Sequence, residues 1–202
     1  MRTPTYVLLS ALLVSSAIAD DANFLLNGDF ANAAMASGWT CHSIFGSQTW
    51  SSDDSGAMAT SGSIELSASA YGDQNSWFQG LEICDSSCFD VRPGAAYSYG
   101  GQSRLIAVAG AAGSSFVMHF SCGVYAQDSC SGSPTWLPAP ATSMAAGWTA
   151  PISLDGTLPA NAVSAGCQLQ AIADGENASG TGHFDNLFFT TDVIFADGLE
   201  SQ

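Results

Sequence analysis

Along most of the chain, apolar and polar residues alternate with a period of two in short runs, separated by clusters of Gly, Ser, Asp and Pro. Helical spacing is almost absent. A period of two sends successive side chains to opposite faces of a strand, so the pattern predicts an all-β domain, an antiparallel β-sandwich. In Ser63–Ala68, the residues Ile64, Leu66 and Ala68 share one face and Ser63, Glu65 and Ser67 the other. Phe116, Met118 and Phe120 oppose Val117, His119 and Ser121, and Cys167, Leu169 and Ala171 alternate with Gln168 and Gln170. Trp148, Ala150, Ile152 and Leu154 make a further stripe. From Trp77 to Ile83 apolar groups fall on both faces, so this strand reads as covered on both sides.

Turn chemistry punctuates the same segments. Arg92-Pro93-Gly94 leads into the strand around Tyr97 and Tyr99, with Pro presetting φ and Gly accepting a positive value. Leu158-Pro159-Ala160 and Ala173-Asp174-Gly175 close other strands. Gly46 to Gly62, rich in Ser and Asp, and Gly132 to Ala146, rich in Pro and Ala, read as surface loops. Neither is long enough to divide domains.

The first residues change the picture of where the chain works. One cation, an apolar run from Tyr6 to Val14, and then Ala17-Ile18-Ala19 make a secretory leader, residues 1–19, cut after Ala19. The run is too short to span a bilayer, and no later stretch approaches the roughly 20 apolar residues a membrane helix needs. About 183 residues remain, enough for a single core, so residues 20–190 read as one domain and 191–202 as a tail. The residue after the cut is Asp20, not a cysteine that could carry a lipid. The chain is expected to be exported, secreted or periplasmic, and is read as a bacterial monomer.

Eighteen acidic residues face three Lys and Arg in total, for a formal charge of −15. Once Arg2 leaves with the leader, Arg92 and Arg104 are the cations left. A phosphate backbone needs a cluster of cations, so nucleic acid is excluded as a partner, and polyanionic polymers are disfavoured on the same ground. A neutral ligand or a cation fits better. All six cysteines, Cys41, Cys84, Cys88, Cys122, Cys130 and Cys167, follow the leader, and an even set in an exported chain reads as three disulfides. The sequence does not fix the pairing. Closeness along the chain favours Cys84 with Cys88 and Cys122 with Cys130, leaving Cys41 with Cys167. Zinc is the rival reading, weakened by the absence of any Cys-x-x-Cys pair.

Phe24-Leu25-Leu26-Asn27-Gly28-Asp29-Phe30 followed by Gly38-Trp39, and at the other end Gly182-His183-Phe184-Asp185-Asn186-Leu187-Phe188-Phe189, carry a resemblance. Between them lie Ser61–Leu66, Val91–Tyr97 and Ala146–Trp148, in the matching order. The chain from 23 to 190 resembles carbohydrate-binding modules with a galactose-binding-like jelly-roll fold. That resemblance implies a non-catalytic module for polysaccharide or glycan, whose last strand returns beside the first. It also implies a structural Ca²⁺ held by Asp29 and Asp185 as oxygen ligands. The sequence departs from the family at Ala31, where a glutamate ligand is common. The alternative role for both aspartates is turn capping.

Sugars offer flat apolar faces, so the candidate ligand contacts are exposed rings: Trp50, Tyr71, Trp77, Tyr125 and Trp136. Gln48, Asp73, Gln74, Asn75 and Gln79 are the polar groups set among them. Two other classes compete. One is an adhesive extracellular protein binding another protein. The other is a divergent glycoside hydrolase, which needs two carboxylates roughly 5 to 9.5 Å apart. Glu65 and Glu82 are the strand glutamates available, and alternation puts both on polar or mixed faces. His183 and Asp185 share a strand face, and no Gly-x-Ser-x-Gly elbow is present. No enzymatic activity is expected.

Overall fold

A computed structural model describes residues 23–31, 38–56, 61–73, 76–140 and 145–192. The leader, most of the tail, Gln74 and Asn75 lie outside them, as does the side chain of Trp77. No helix of the described residues is long and apolar enough to cross a membrane. Thirteen strands make up the described fold. They are β1 (Trp39–Ile44), β2 (Gly46–Ser51), β3 (Ser63–Ser69), β4 (Tyr71–Asp73), β5 (Ser76–Phe78), β6 (Gly80–Ser86) and β7 (Phe89–Asp90). β8 (Ala96–Ala109), β9 (Ser115–Tyr125), β10 (Thr135–Trp136), β11 (Ile152–Thr157), β12 (Ser164–Asp174) and β13 (Ser179–Thr191) follow. The pairings recorded between strands are antiparallel. Sheet I runs β1-β6-β12-β9-β10, with β7 also on β12, and sheet II runs β11-β8-β13-β3-β2. β4 and β5 form a separate hairpin.

The alternation read from the sequence is what closes the sandwich. Ile64, Leu66 and Ala68 of β3 and Phe116, Met118, Phe120, Leu169 and Ala171 of β9 and β12 are all buried between the sheets. Sheet II supplies Tyr97, Tyr99, Phe184, Leu187 and Phe189. Within β13 the alternation breaks. The register shifts between Asp185 and Phe188, with Asn186 at φ 49°. A bulge inserts one residue and resets the parity, so Leu187 and Phe189 face the core along with Phe184. Opposite Phe116 and Met118, β13 carries Gly180 and Gly182. A Cβ on Gly182 would fall on the Met118 sulfur, so only glycine leaves room for it.

The opening and closing motifs do lie side by side. Phe24 N–H donates to the Phe189 carbonyl, and Leu187 N–H to that of Gly28. Asn23 fixes the join, donating to Leu187 O and accepting from Phe189 N–H. The chain at Gly28 runs so close to Leu187 O that a side chain is impossible there.

The pairing of cysteines differs from the one that chain proximity favours. The bridges are Cys41–Cys84, Cys88–Cys130 and Cys122–Cys167. Cys41 and Cys84 sit directly opposite each other on β1 and β6, as Cys122 and Cys167 do on β9 and β12. Four residues of extended chain cover roughly 13 Å, beyond the reach of a disulfide, so Cys84 finds its partner across the sheet rather than at Cys88. Cys88 instead ties the end of β6 to the 3-10 turn Asp128–Cys130. Three bridges fit a chain that folds in an oxidising compartment.

Several placements depart from the expected elements, among them Thr135–Trp136, expected as loop, which is β10. Gly46 to Ser51, expected as loop, is β2. Trp148 lies outside the strand that contains Ile152 and Leu154. The run from Trp77 to Ile83 splits into β5 and β6, and in β6 it is Gly80, Glu82 and Cys84 that face the core, while Leu81 and Ile83 are half-exposed outside.

Candidate functional site

The outer face of sheet I is set by strand register. Residues directly opposite each other share a face, so Thr40, Asp85, Gln168 and Ser121 form one row across β1, β6, β12 and β9. His42, Ile83, Gln170 and His119 form the next, then Ile44, Leu81, Ile172 and Val117. At the opposite end Gly166, Gly123 and Trp136 are aligned. Gly123 has Pro134 and the Trp136 ring immediately above it, so the missing side chain is what lets that ring lie on the sheet.

A cleft of about 370 Å³ opens here, bounded by Trp136, Tyr125, Pro134 and the Cys88–Cys130 bridge, with Asp85 and Gln168 along its side and Gly166 in its floor. Trp136 is 51% exposed. Gln168 Nε2 donates to Asp85 Oδ1 at 2.7 Å, and Gln170 Nε2 donates in turn to Gln168 Oε1. The Tyr125 hydroxyl is pushed up by burial and by the charge of Asp85. An exposed indole beside a carboxylate–amide chain offers a stacking surface and a series of donors and acceptors fixed in spacing by the β-ladder.

Of the five expected aromatics, Tyr125 and Trp136 meet in this cleft. Trp50 does not: on β2 it packs against the core, and its Nε1–H donates to Phe30 O at 2.9 Å. A Ser- and Asp-rich neighbourhood disguised a structural residue as a loop ring. Tyr71 is exposed at the far end, stacked on Phe45 at 5.6 Å, with Ile44 and Phe78 exposed there too. Trp77 lies in β5 with its side chain outside the described residues. Asp85, Gln168, Gln170, His42 and His119 escaped the sequence reading. The polar side of β12 was visible in the alternation of Gln168 and Gln170, but which strands flank it was not.

Asp29 is exposed and accepts from Ala31 N–H. Asp185 is fully buried and accepts from Ser55 N–H and Asn186 N–H at 2.9 and 2.7 Å. Asp29 thus caps its own turn, and Asp185 ties the Ser55 segment to the bulge of β13. Burial, reinforced by Asp54, holds the Asp185 carboxyl up at about 6, against the opposing N–H groups. Its ordinary value is 3.8, so the protonated form is favoured by folding. Stability from this group is complete below about pH 4 and is lost as pH rises through about 6, by up to about 3 kcal/mol. His183, lowered by burial, acts in the opposite sense. Urea unfolding between pH 4 and 7 should therefore show a difference between the wild type and Asp185→Asn that grows with pH in the variant's favour; parallel profiles would refute it.

The carboxylates proposed for hydrolysis lie apart. Glu65 is on the outer face of sheet II, where its Oε2 is 3.0 Å from His183 Nε2, and Glu82 faces the core of sheet I. Glu82 is fully buried, correcting the expectation of a polar or mixed face. His183 is bound not to Asp185 but to Glu65 and, through Nδ1, to Ser63 Oγ at 2.9 Å. Ser63 is fully buried beneath the Asp53–Arg104 ion pair. A nucleophile needs an approach path, which this hydroxyl lacks.

The fold and cleft define a β-sandwich module that presents an aromatic and amide-lined sheet face. Solved structures share the fold. The enzymatically active domain of tailspike protein 4 from bacteriophage CBA120 superposes with a TM-score of 0.56 at 14% identity, over 84% of this chain and 21% of that one. TmCBM61, solved with β-1,4-galactotriose, gives 0.49 at 10% identity, over 85% and 99%. The CBM22-1 xylan-binding domain of Paenibacillus barcinonensis Xyn10C gives 0.44 at 13%, over 81% and 91%. At 14% identity the likeness to the tailspike domain is one of fold, and the described strands form the expected antiparallel β-sandwich. No family model matches the chain, and no curated protein matches it in sequence.

Proposed function

We propose that the chain is an exported, non-catalytic module that binds a neutral glycan on the outer face of sheet I. The observation that carries this reading is the exposed Trp136 ring beside the Asp85–Gln168–Gln170 chain. The ring supplies a stacking platform, and the carboxylate and amides are spaced to bond adjacent hydroxyls. The resemblance to carbohydrate-binding jelly rolls implies the same function. Asp85 and the net charge of −15 exclude a uronate-rich polymer.

Along β12 the distance from Gly166, in the row of Trp136, to Ile172, in the row of Ile44, is about 20 Å. Exposed rings stand at both ends and polar rows lie between. We read this as a surface for a linear chain rather than a single sugar. Calorimetry with oligosaccharides of increasing length tests it: affinity should rise until the chain spans both ends and then level off. Failure to bind any neutral polysaccharide in a pull-down series would overturn the glycan reading. A second reading, a protein partner, is favoured by the exposed cluster Ile44, Phe45, Tyr71 and Phe78. It would be supported by loss of a protein interaction, with glycan binding absent throughout, in Tyr71→Ala. The leader Met1–Ala19 is part of the proposal, since it brings the module to its ligand outside the cytoplasm. The calcium implied by the resemblance is tested by a thermal melt with and without chelator; an unchanged midpoint would remove it.

A further inference from the structure

Glu82 is fully buried, and its carboxyl has no more than a weak contact from the Ser43 hydroxyl. Leaving a charge so placed is costly, and the group relieves that cost by keeping its proton. Burial indeed raises Glu82, against weaker opposing pulls from the Ser43 hydroxyl and the charge of His42. A carboxyl oxygen of Glu82 and the sulfurs of Cys41 and Cys84 lie within 4.8 Å of one another. Gly46 of β2 makes the space, since a Cβ there would come within 2.7 Å of the carboxyl oxygen. The bridge is also asymmetric: Cys84 is fully buried, whereas Cys41 is partly exposed on the edge strand β1.

We propose that Cys41–Cys84 is a thiol-exchange site in which Glu82 donates the proton that receives the departing sulfur of Cys84. The co-reactant is a small dithiol. One of its thiolates attacks Sγ of the partly exposed Cys41, forming a new S–S bond as the Cys41–Cys84 bond breaks. The electron pair leaves on Cys84 Sγ, which takes the proton of Glu82 instead of remaining a buried thiolate, and the carboxylate regains a proton from solvent. The second thiol of the reductant, after losing its proton to solvent, attacks the reductant's own sulfur in the mixed disulfide. Cys41 leaves as a thiolate and is protonated by solvent. The dithiol is oxidised to a cyclic disulfide and the protein bridge is reduced, two electrons each. The other bridges lack these features. Cys122 and Cys167 are both buried, and among the described residues no carboxyl is set against Cys88–Cys130 in the same way.

The test is the rate at which each bridge opens in the folded protein under dithiothreitol, read by alkylation and peptide mass. In Glu82→Gln, Cys41–Cys84 should open about a hundredfold more slowly at neutral pH, the low side of what a positioned proton donor contributes. Cys88–Cys130 should open at its original rate. Equal rates for Cys41–Cys84 in the two proteins would overturn the proposal. If Cys88–Cys130 also changes, the substitution has disturbed the fold, and the pH profile of the unsubstituted Glu82 decides. His42 of β1 is the titratable group whose charge reaches Glu82, while Ser43, Gly46 and the facing Ala171 of β12 carry none. In a His42→Asn background, the opening rate per unit of dithiol thiolate should fall as rising pH strips the proton from Glu82. A flat profile would overturn the proposal.

Discussion

Trp136→Ala should weaken glycan binding by about thirtyfold, or about 2 kcal/mol, while leaving the unfolding transition nearly unchanged. Trp136 is half-exposed on β10, which pairs with β9 through only two residues, so little of the fold rests on it. Its ring is the largest apolar surface bordering the cleft, and such central aromatic anchors carry most of a binding free energy when truncated. Trp50→Ala should behave in the reverse manner. It removes a ring packed on the core and a hydrogen bond to Phe30 O, lowering stability and leaving affinity intact in the folded fraction. Calorimetry paired with thermal melts separates the two, and a Trp136→Ala protein that binds within twofold of wild type would move the site elsewhere.

Phe189→Ala is expected to produce the largest loss of stability, about 3–5 kcal/mol. Phe189 is wholly buried, and its ring lies 5.1 Å from Phe89, 6.0 Å from Tyr97 and 5.9 Å from Tyr99. It is also the residue whose backbone joins the N-terminal segment, through Phe24 and Asn23. Against a total of about 5–15 kcal/mol, such a loss should lower Tm by roughly 6–20 °C in a domain of this size. A change under about 3 °C would show that the aromatic cluster is not where the two layers are fastened.

Much of the sandwich was legible because alternation is a local property. Ile64, Leu66 and Ala68, and likewise Phe116, Met118 and Phe120, declare their buried face within a single strand. Partnership between strands is not local, and here the reading diverged. Cys41 meets Cys84 because β1 happens to lie against β6, a fact no spacing of cysteines reveals. The same ignorance hid the row that brings Asp85 to Gln168. Glu82 escaped for another reason: a carboxyl normally marks the wet side of a strand, and β6 inverts that rule where Gly46 opens a space in the core. The bulge at Asp185 to Phe188 likewise resets a parity that the sequence carries without any sign.

All three cystines lie in or beside sheet I, and none crosses to sheet II. The covalent wiring of the molecule is therefore one-sided. Under the cleft the bridge from β9 to β12 and the bridge from the end of β6 to the 3-10 turn fix the register of the strands that carry Gln168, Gln170 and Asp85.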